Sequence, residues 1–138
     1  MKSFFLIALL VGTMPALLYA QRSNYRVVFD LTSKDSLDER AVIRWLNEVA
    51  VPNPNGRFEV VMNGKGFNLV MKNNLSFADD VNKLSAHMNI AFKVCAVAMK
   101  SNNVQKSDLL PCVQVVPDGI YEIVSKQHEG WGYIKAVH

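Results

Sequence analysis

The sequence predicts an α/β domain in three layers, a mostly parallel five-stranded sheet with helices on both faces. Three observations carry that expectation. Segments rich in β formers alternate with segments whose apolar residues recur at helical period. Candidate strands are separated by helical stretches, the connection that parallel neighbours need. The third strand is nearly continuous in apolar character, as a strand covered on both faces is.

Tyr25-Arg26-Val27-Val28-Phe29-Asp30-Leu31 is the first candidate strand. Ser36-Leu37-Asp38-Glu39 has the capping-box spacing and opens a helix with Val42, Trp45, Leu46 and Val49 on one face. Pro52 to Gly56 stops it. Phe58 to Met62 is the second strand, and Asn63-Gly64-Lys65-Gly66 turns the chain into a short helix through Phe67, Leu69, Val70 and Met71. Ser76 is placed to cap the next helix, with Phe77, Val81, Leu84 and Met88 facing the core. Ala91 to Cys95 is the third strand, interrupted only by Lys93, and a short helix from about Val97 to Asn102 follows. Val113 to Val116 is the fourth strand. Pro117-Asp118-Gly119 opens a helix through Ile120, Ile123 and Val124, and Trp131 to Val137 is the last strand.

The 138 residues suffice for one domain with its own core and are too few for two. Half are apolar and 20% are charged, a globular composition. The formal charge of +3 is mild, and the basic residues form no run, so no nucleic-acid partner is expected.

The first twenty residues read separately. Lys2 supplies a positive start, Phe4 to Val11 an apolar stretch, and Leu18-Tyr19-Ala20 a small-residue cleavage site. Gly12, Thr13 and Pro15 interrupt the apolar run, whereas a membrane-spanning helix wants about 20 apolar residues. Residues 1–20 are therefore expected to be a signal peptide and 21–138 the domain. The protein would be periplasmic or secreted, with no stable membrane insertion after cleavage.

Export makes the two cysteines the central question, because exported cysteines often pair. Cys95 ends the third strand where a helix begins, and free N–H groups at a helix start favour a thiolate. Cys112 precedes the fourth strand. If the strands are parallel, the two thiols lie at opposite edges of the sheet. A five-residue strand spans about 17 Å, while a disulfide needs Cα atoms within about 7 Å. Cys95 is thus read as a reactive thiol or a buried core residue more readily than as half of an internal disulfide. Cys112 could instead bridge two protomers.

Other chemistry is weaker. Asn63-Gly64-Lys65-Gly66 lacks the spacing and hydroxyl of a phosphate loop and reads as a glycine-permitted turn. His87, His128 and His138 show no metal-ligand spacing, so neither a metal site nor a cofactor is expected. No Gly-x-Ser-x-Gly elbow occurs. Trp45 and Trp131 read as core or interface residues, and Met62, Met71, Met88 and Met99 as core fillers. The carboxyl ends of the strands remain the place for a site, where the loops at 32–35, 63–66 and 95–96 can converge.

From Tyr25 onward the chain resembles the DsrE/DsrF-like family, close to its sulfur-relay TusD/TusC-type and YchN-type members. The resemblance is carried by Val60 to Phe67, by Phe92-Lys93-Val94-Cys95 with its following helix, by Asp108 to Ile120, and by Gln127 to Lys135. It implies a parallel-rich α/β fold assembled as trimers or hexamers. It also implies a cysteine at the position of Cys95 that carries a persulfide. Many members have His-Gly where this chain has Asn63-Gly64, and Gly where it has Cys112. Sulfur relays of this kind are cytosolic, which an exported member would not be.

Two functions follow. In the first, Cys95 takes sulfane sulfur from a donor protein and passes it to an acceptor, with Asn63, Gly64 and Lys65 lining the pocket. In the second, the protein is a non-catalytic oligomeric binding module and Cys95 is a small buried hydrophobe. Solvent access to the thiol separates them.

Overall fold

The computed structural model describes residues 24–137. The expected signal peptide lies outside the described residues. The strands are β1 (Arg26–Leu31), β2 (Arg57–Met62), β3 (Ile90–Cys95), β4 (Gln114–Val116) and β5 (Gly132–Lys135). The helices are α1 (Ser36–Trp45), α2 (Ala78–Ser85), α3 (Ala96–Ser101) and α4 (Gly119–His128). All strand pairs are parallel, in the order β4-β3-β2-β1-β5.

That order dictates the layers. From β1 to β4 the chain steps steadily to one side, and right-handed crossovers keep the intervening helices on one face. From β4 to β5 it returns across the whole sheet, so α4 must cross the other face, where it packs on β1, β2 and β3. Helices therefore cover both faces, as the sequence predicts.

Alternation along each strand assigns its side chains to these layers. Phe29 and Leu31 of β1, Phe58, Val60 and Met62 of β2, and Ile90, Phe92 and Val94 of β3 enter the large core beneath α1 and α2. Val42, Ile43 and Leu46 come from the first helix, Val81 and Leu84 from α2, and Met99 from α3. Trp45 is half-buried and stacks on Phe29 with ring centroids 6.2 Å apart. The α4 face holds only a four-residue apolar cluster, Val28, Val61, Ile123 and Trp131.

Several local expectations change. Asp35, not Ser36, caps α1: its carboxylate accepts from the Leu37 N–H at 2.8 Å. The first helix continues as a π-helical turn, Leu46–Ala50. α2 starts without a side-chain cap, because Phe77 rather than Ser76 is its boundary residue. It ends at Ser85, so Met88 falls past the helix and is fully exposed instead of filling the core. In α4 only Ile123 of the three apolar residues is buried; Ile120 and Val124 are exposed. A helix crossing a sheet alone buries one stripe, and its remaining apolar positions face outward. The last strand is Gly132–Lys135, shorter than its sequence pattern, and at the sheet edge all four residues are exposed.

Candidate thiol site

Cys95 is the last residue of β3 and the boundary residue of α3. One position beyond the Met62–Val94 pair, strand register brings Asn63 beside it. The start of α4 completes the enclosure. A Cβ built on Gly119 would lie 2.0 Å from Asn63 Oδ1 and 3.0 Å from Cys95 Cβ. Only glycine fits between these two side chains, so the first residue of α4 seals the crevice with bare backbone. Asp118 fixes that helix end by accepting from the N–H groups of Ile120 at 2.9 Å and Tyr121 at 3.4 Å.

The thiol is 4% exposed yet belongs to neither apolar cluster. On one side strand register sets it beside Val116, and on the other it meets Asn63 and the Gly119 backbone. Asn63 is itself buried; its Nδ2 donates to Asp30 Oδ1 at 3.5 Å, and its Oδ1 has no hydrogen-bond partner. Asp30 is buried on the same face and accepts from the Tyr133 hydroxyl at 2.7 Å, with Lys135 Nζ at 3.9 Å. Burial, then the hydrogen bond to Asp30 and its charge, push the Tyr133 phenol up to about 12, so it remains a donor well into the alkaline range. A polar chain thus runs along the carboxyl edge from β5 through β1 and β2 to Cys95.

The other expected site residues fall differently. Gly64 is exposed, with φ +53°, and turns the chain back past the Thr32 carbonyl. Lys65 is exposed, and its side chain makes no hydrogen bond or ion pair among the described residues. Its backbone N–H donates to the Thr32 carbonyl at 3.0 Å. The structure therefore brings Asn63 to Cys95, with Gly64 and Lys65 leading away. Cys112 is half-buried at the other end of the sheet, its Sγ 3.9 Å from Asn82 Oδ1, and both thiols are free. Among the described residues no group of three or more His, Cys, Asp or Glu side chains could hold a metal ion.

Sequence reasoning missed Gly119, Asp30 and Tyr133 as neighbours of the thiol. Asp30 carried a readable signal, a carboxylate inside a β-forming run at the parity of Val28. Tyr133 carried none, since it reaches Asp30 only because β5 returns to pair with β1.

Residues 34–136 match the DsrE/DsrF-like family. The chain belongs to that family. A solved DsrE-like relative is MTH1491, a protein of unknown function from Methanobacterium thermoautotrophicum. It is 30% identical with a TM-score of 0.75, over 80% of this chain and 98% of that one. The E. coli ychN protein shares the fold at 8% identity, with a TM-score of 0.66 over 82% of this chain and 98% of its own. No curated protein matches the chain.

Proposed function

We propose that this DsrE-like protein is an exported sulfur carrier, periplasmic or secreted, with Cys95 as the persulfide-bearing thiol. Family membership supports a sulfur-relay role in general. The single observation that carries the finer reading is the setting of Cys95, buried against Asn63 and Gly119 and outside both apolar clusters. A cysteine kept only to fill space belongs among apolar side chains.

The chemistry needs no added oxidant. The Cys95 thiolate attacks the outer sulfur of a donor persulfide, forming Cys95–S–SH and releasing the donor thiolate. An acceptor thiolate then attacks the outer sulfur and leaves Cys95 reduced. At 4% exposure, Cys95 meets a donor only when the crevice walls part. Ile120, Tyr121 and Val124 form an exposed apolar strip on α4, which supports assembly into a homo-oligomer, a trimer or hexamer, and offers a seat for donor and acceptor proteins.

Treatment with polysulfide followed by peptide mass spectrometry tests the reading. Added sulfur on the Cys95 peptide, absent in Cys95→Ala, is expected. An unmodified Cys95 peptide, or equal loading of the variant, refutes it. Burial of the thiol favours the second reading, a non-catalytic oligomeric binding module with Cys95 as a packing residue. On that reading polysulfide leaves Cys95 unmodified while the native oligomer persists in Cys95→Ala.

A further inference from the structure

At the sheet edge opposite Cys95, the far end of α4 overhangs a cleft of about 550 Å3. Pockets that take small molecules run from roughly 300 to 1,000 Å3. Arg26, Arg57, Glu59, Lys126, Glu129 and Trp131 line it. Arg26 and Arg57 are register partners at the starts of β1 and β2, on the α4 face. Neither guanidinium has a hydrogen bond or ion pair among the described residues. Lys126, by contrast, is engaged: Glu59 lies 3.4 Å away, Glu122 3.8 Å and Glu129 3.9 Å, and its ammonium sits 4.9 Å above the Trp131 ring.

A second observation falls on the same cleft. Trp131 Nε1 and Glu59 Oε2 are buried without a hydrogen-bond partner, on side chains whose residues are 7% and 8% exposed. A buried polar atom left unsatisfied costs about 1–3 kcal/mol. The orphaned indole donor fits an acceptor oxygen, whereas the Glu59 oxygen calls for a donor and its negative charge is offset by Lys93 and Lys126. The charge balance gives its sign. Three basic side chains face two acidic ones, and Glu59 is already paired with Lys93 at 2.9 Å.

We propose that this cleft binds a small oxyanion, a carboxylate or a phosphate- or sulfate-like group. Arg26 and Arg57 hold it through their planar forks, which match such groups two bonds at a time. The Trp131 indole N–H is the third donor. The fully exposed Met88 beside the cleft gives an organic oxyanion an apolar surface for its body. No residue of the thiol crevice lines this cleft, so oxyanion binding here is independent of sulfur transfer at Cys95.

The indole N–H reports binding directly. The 15N-labelled protein is titrated with inorganic phosphate and with benzoate at constant ionic strength, with Trp131→Phe to assign the signal. A saturable shift of the Trp131 indole resonance is expected, with Trp45 unmoved. Binding should weaken at least about tenfold in Arg26→Gln/Arg57→Gln, equivalent to about 1.4 kcal/mol. Both arginines are exposed, so the double variant keeps the fold, and Arg57→Gln alone gives a milder check. Saturation by benzoate alone identifies an organic oxyanion, and saturation by both an oxyanion of either source. No shift with either probe, a shift that never saturates, or equal affinity in the double variant overturns the proposal.

Discussion

The two faces of the sheet are built on different principles. Beneath α1 and α2 the strands contribute Phe29, Leu31, Phe58, Val60, Met62, Phe92 and Val94 to one continuous apolar core. Beneath α4 the alternate residues of the same strands include Asp30, Glu59, Lys93 and Cys95, with Asn63 just past β2, around a cluster of only four apolar side chains. The first face holds the fold together. The second spends burial on polar groups, which cost stability unless paired, and both the thiol crevice and the oxyanion cleft lie on it, at opposite ends of α4.

The two faces are told apart most sharply by truncating two adjacent strand residues that point opposite ways. Phe92→Ala removes a ring from the large core and should cost about 3–5 kcal/mol in denaturant unfolding. Its neighbour Lys93 bonds Glu122 at 2.8 Å and Glu59 at 2.9 Å. Burial alone would lower the Lys93 ammonium; the Glu122 and Glu59 carboxylates outweigh it and hold the group above its usual value. Glu122 answers in kind: burial would raise it, but Lys93 holds it below the usual carboxylate value. Lys93→Met strands two carboxylates and should cost about 3 kcal/mol, the low end for a broken buried pair because Lys126 still faces both. A loss for Lys93→Met equal to that of a surface substitution would mean that the α4 face is too wet to distinguish from solvent.

Tyr133→Phe is gentler. It removes the hydroxyl that donates to Asp30 and should cost about 1 kcal/mol by urea melt. It should also alter the alkylation rate of Cys95 through Asn63; an unchanged rate would detach the polar chain from the thiol. The smallest effect is one of pH, on the other face. Glu39 of α1 is buried and accepts from Asn68 at 2.7 Å. Burial raises its carboxyl above the ordinary carboxylate value of 4.5; the amides of Asn68 and Asn74 pull the other way, and Asp35 and Asp38 add to the rise. The folded state therefore holds this proton more tightly than the unfolded chain. That stability is complete below pH 4.5 and is lost as pH rises through the folded value. Glu39→Gln should remove that part of the fall in stability above pH 4.5, and an unchanged pH profile would refute the raised value.

The large core was legible because its signals are local. Period-two strands and period-3.6 helices gave the element order, and strand direction alone placed Cys95 and Cys112 at opposite edges. The α4 face was not, because its partners come from far along the chain. Asp30 meets Tyr133 across 103 positions, and Gly119 meets Asn63 and Cys95 only once α4 has crossed the sheet. The helix through Ile120, Ile123 and Val124 was legible, but which of the three would be buried was not, and a lone helix leaves Ile120 and Val124 outside. Lys93, read as a blemish in an apolar strand, is the centre of an ion-pair network instead.

Cys95 as a sulfur carrier must be a thiol in a crevice that opens, not a core residue exposed only by unfolding. Native-state alkylation of Cys95 in a Cys112→Ser background, followed against low concentrations of urea, tests it. A crevice that opens locally predicts a rate independent of urea well below the unfolding transition. A rate that climbs with urea in parallel with global unfolding, and is negligible without it, would contradict the claim and leave Cys95 a packing residue.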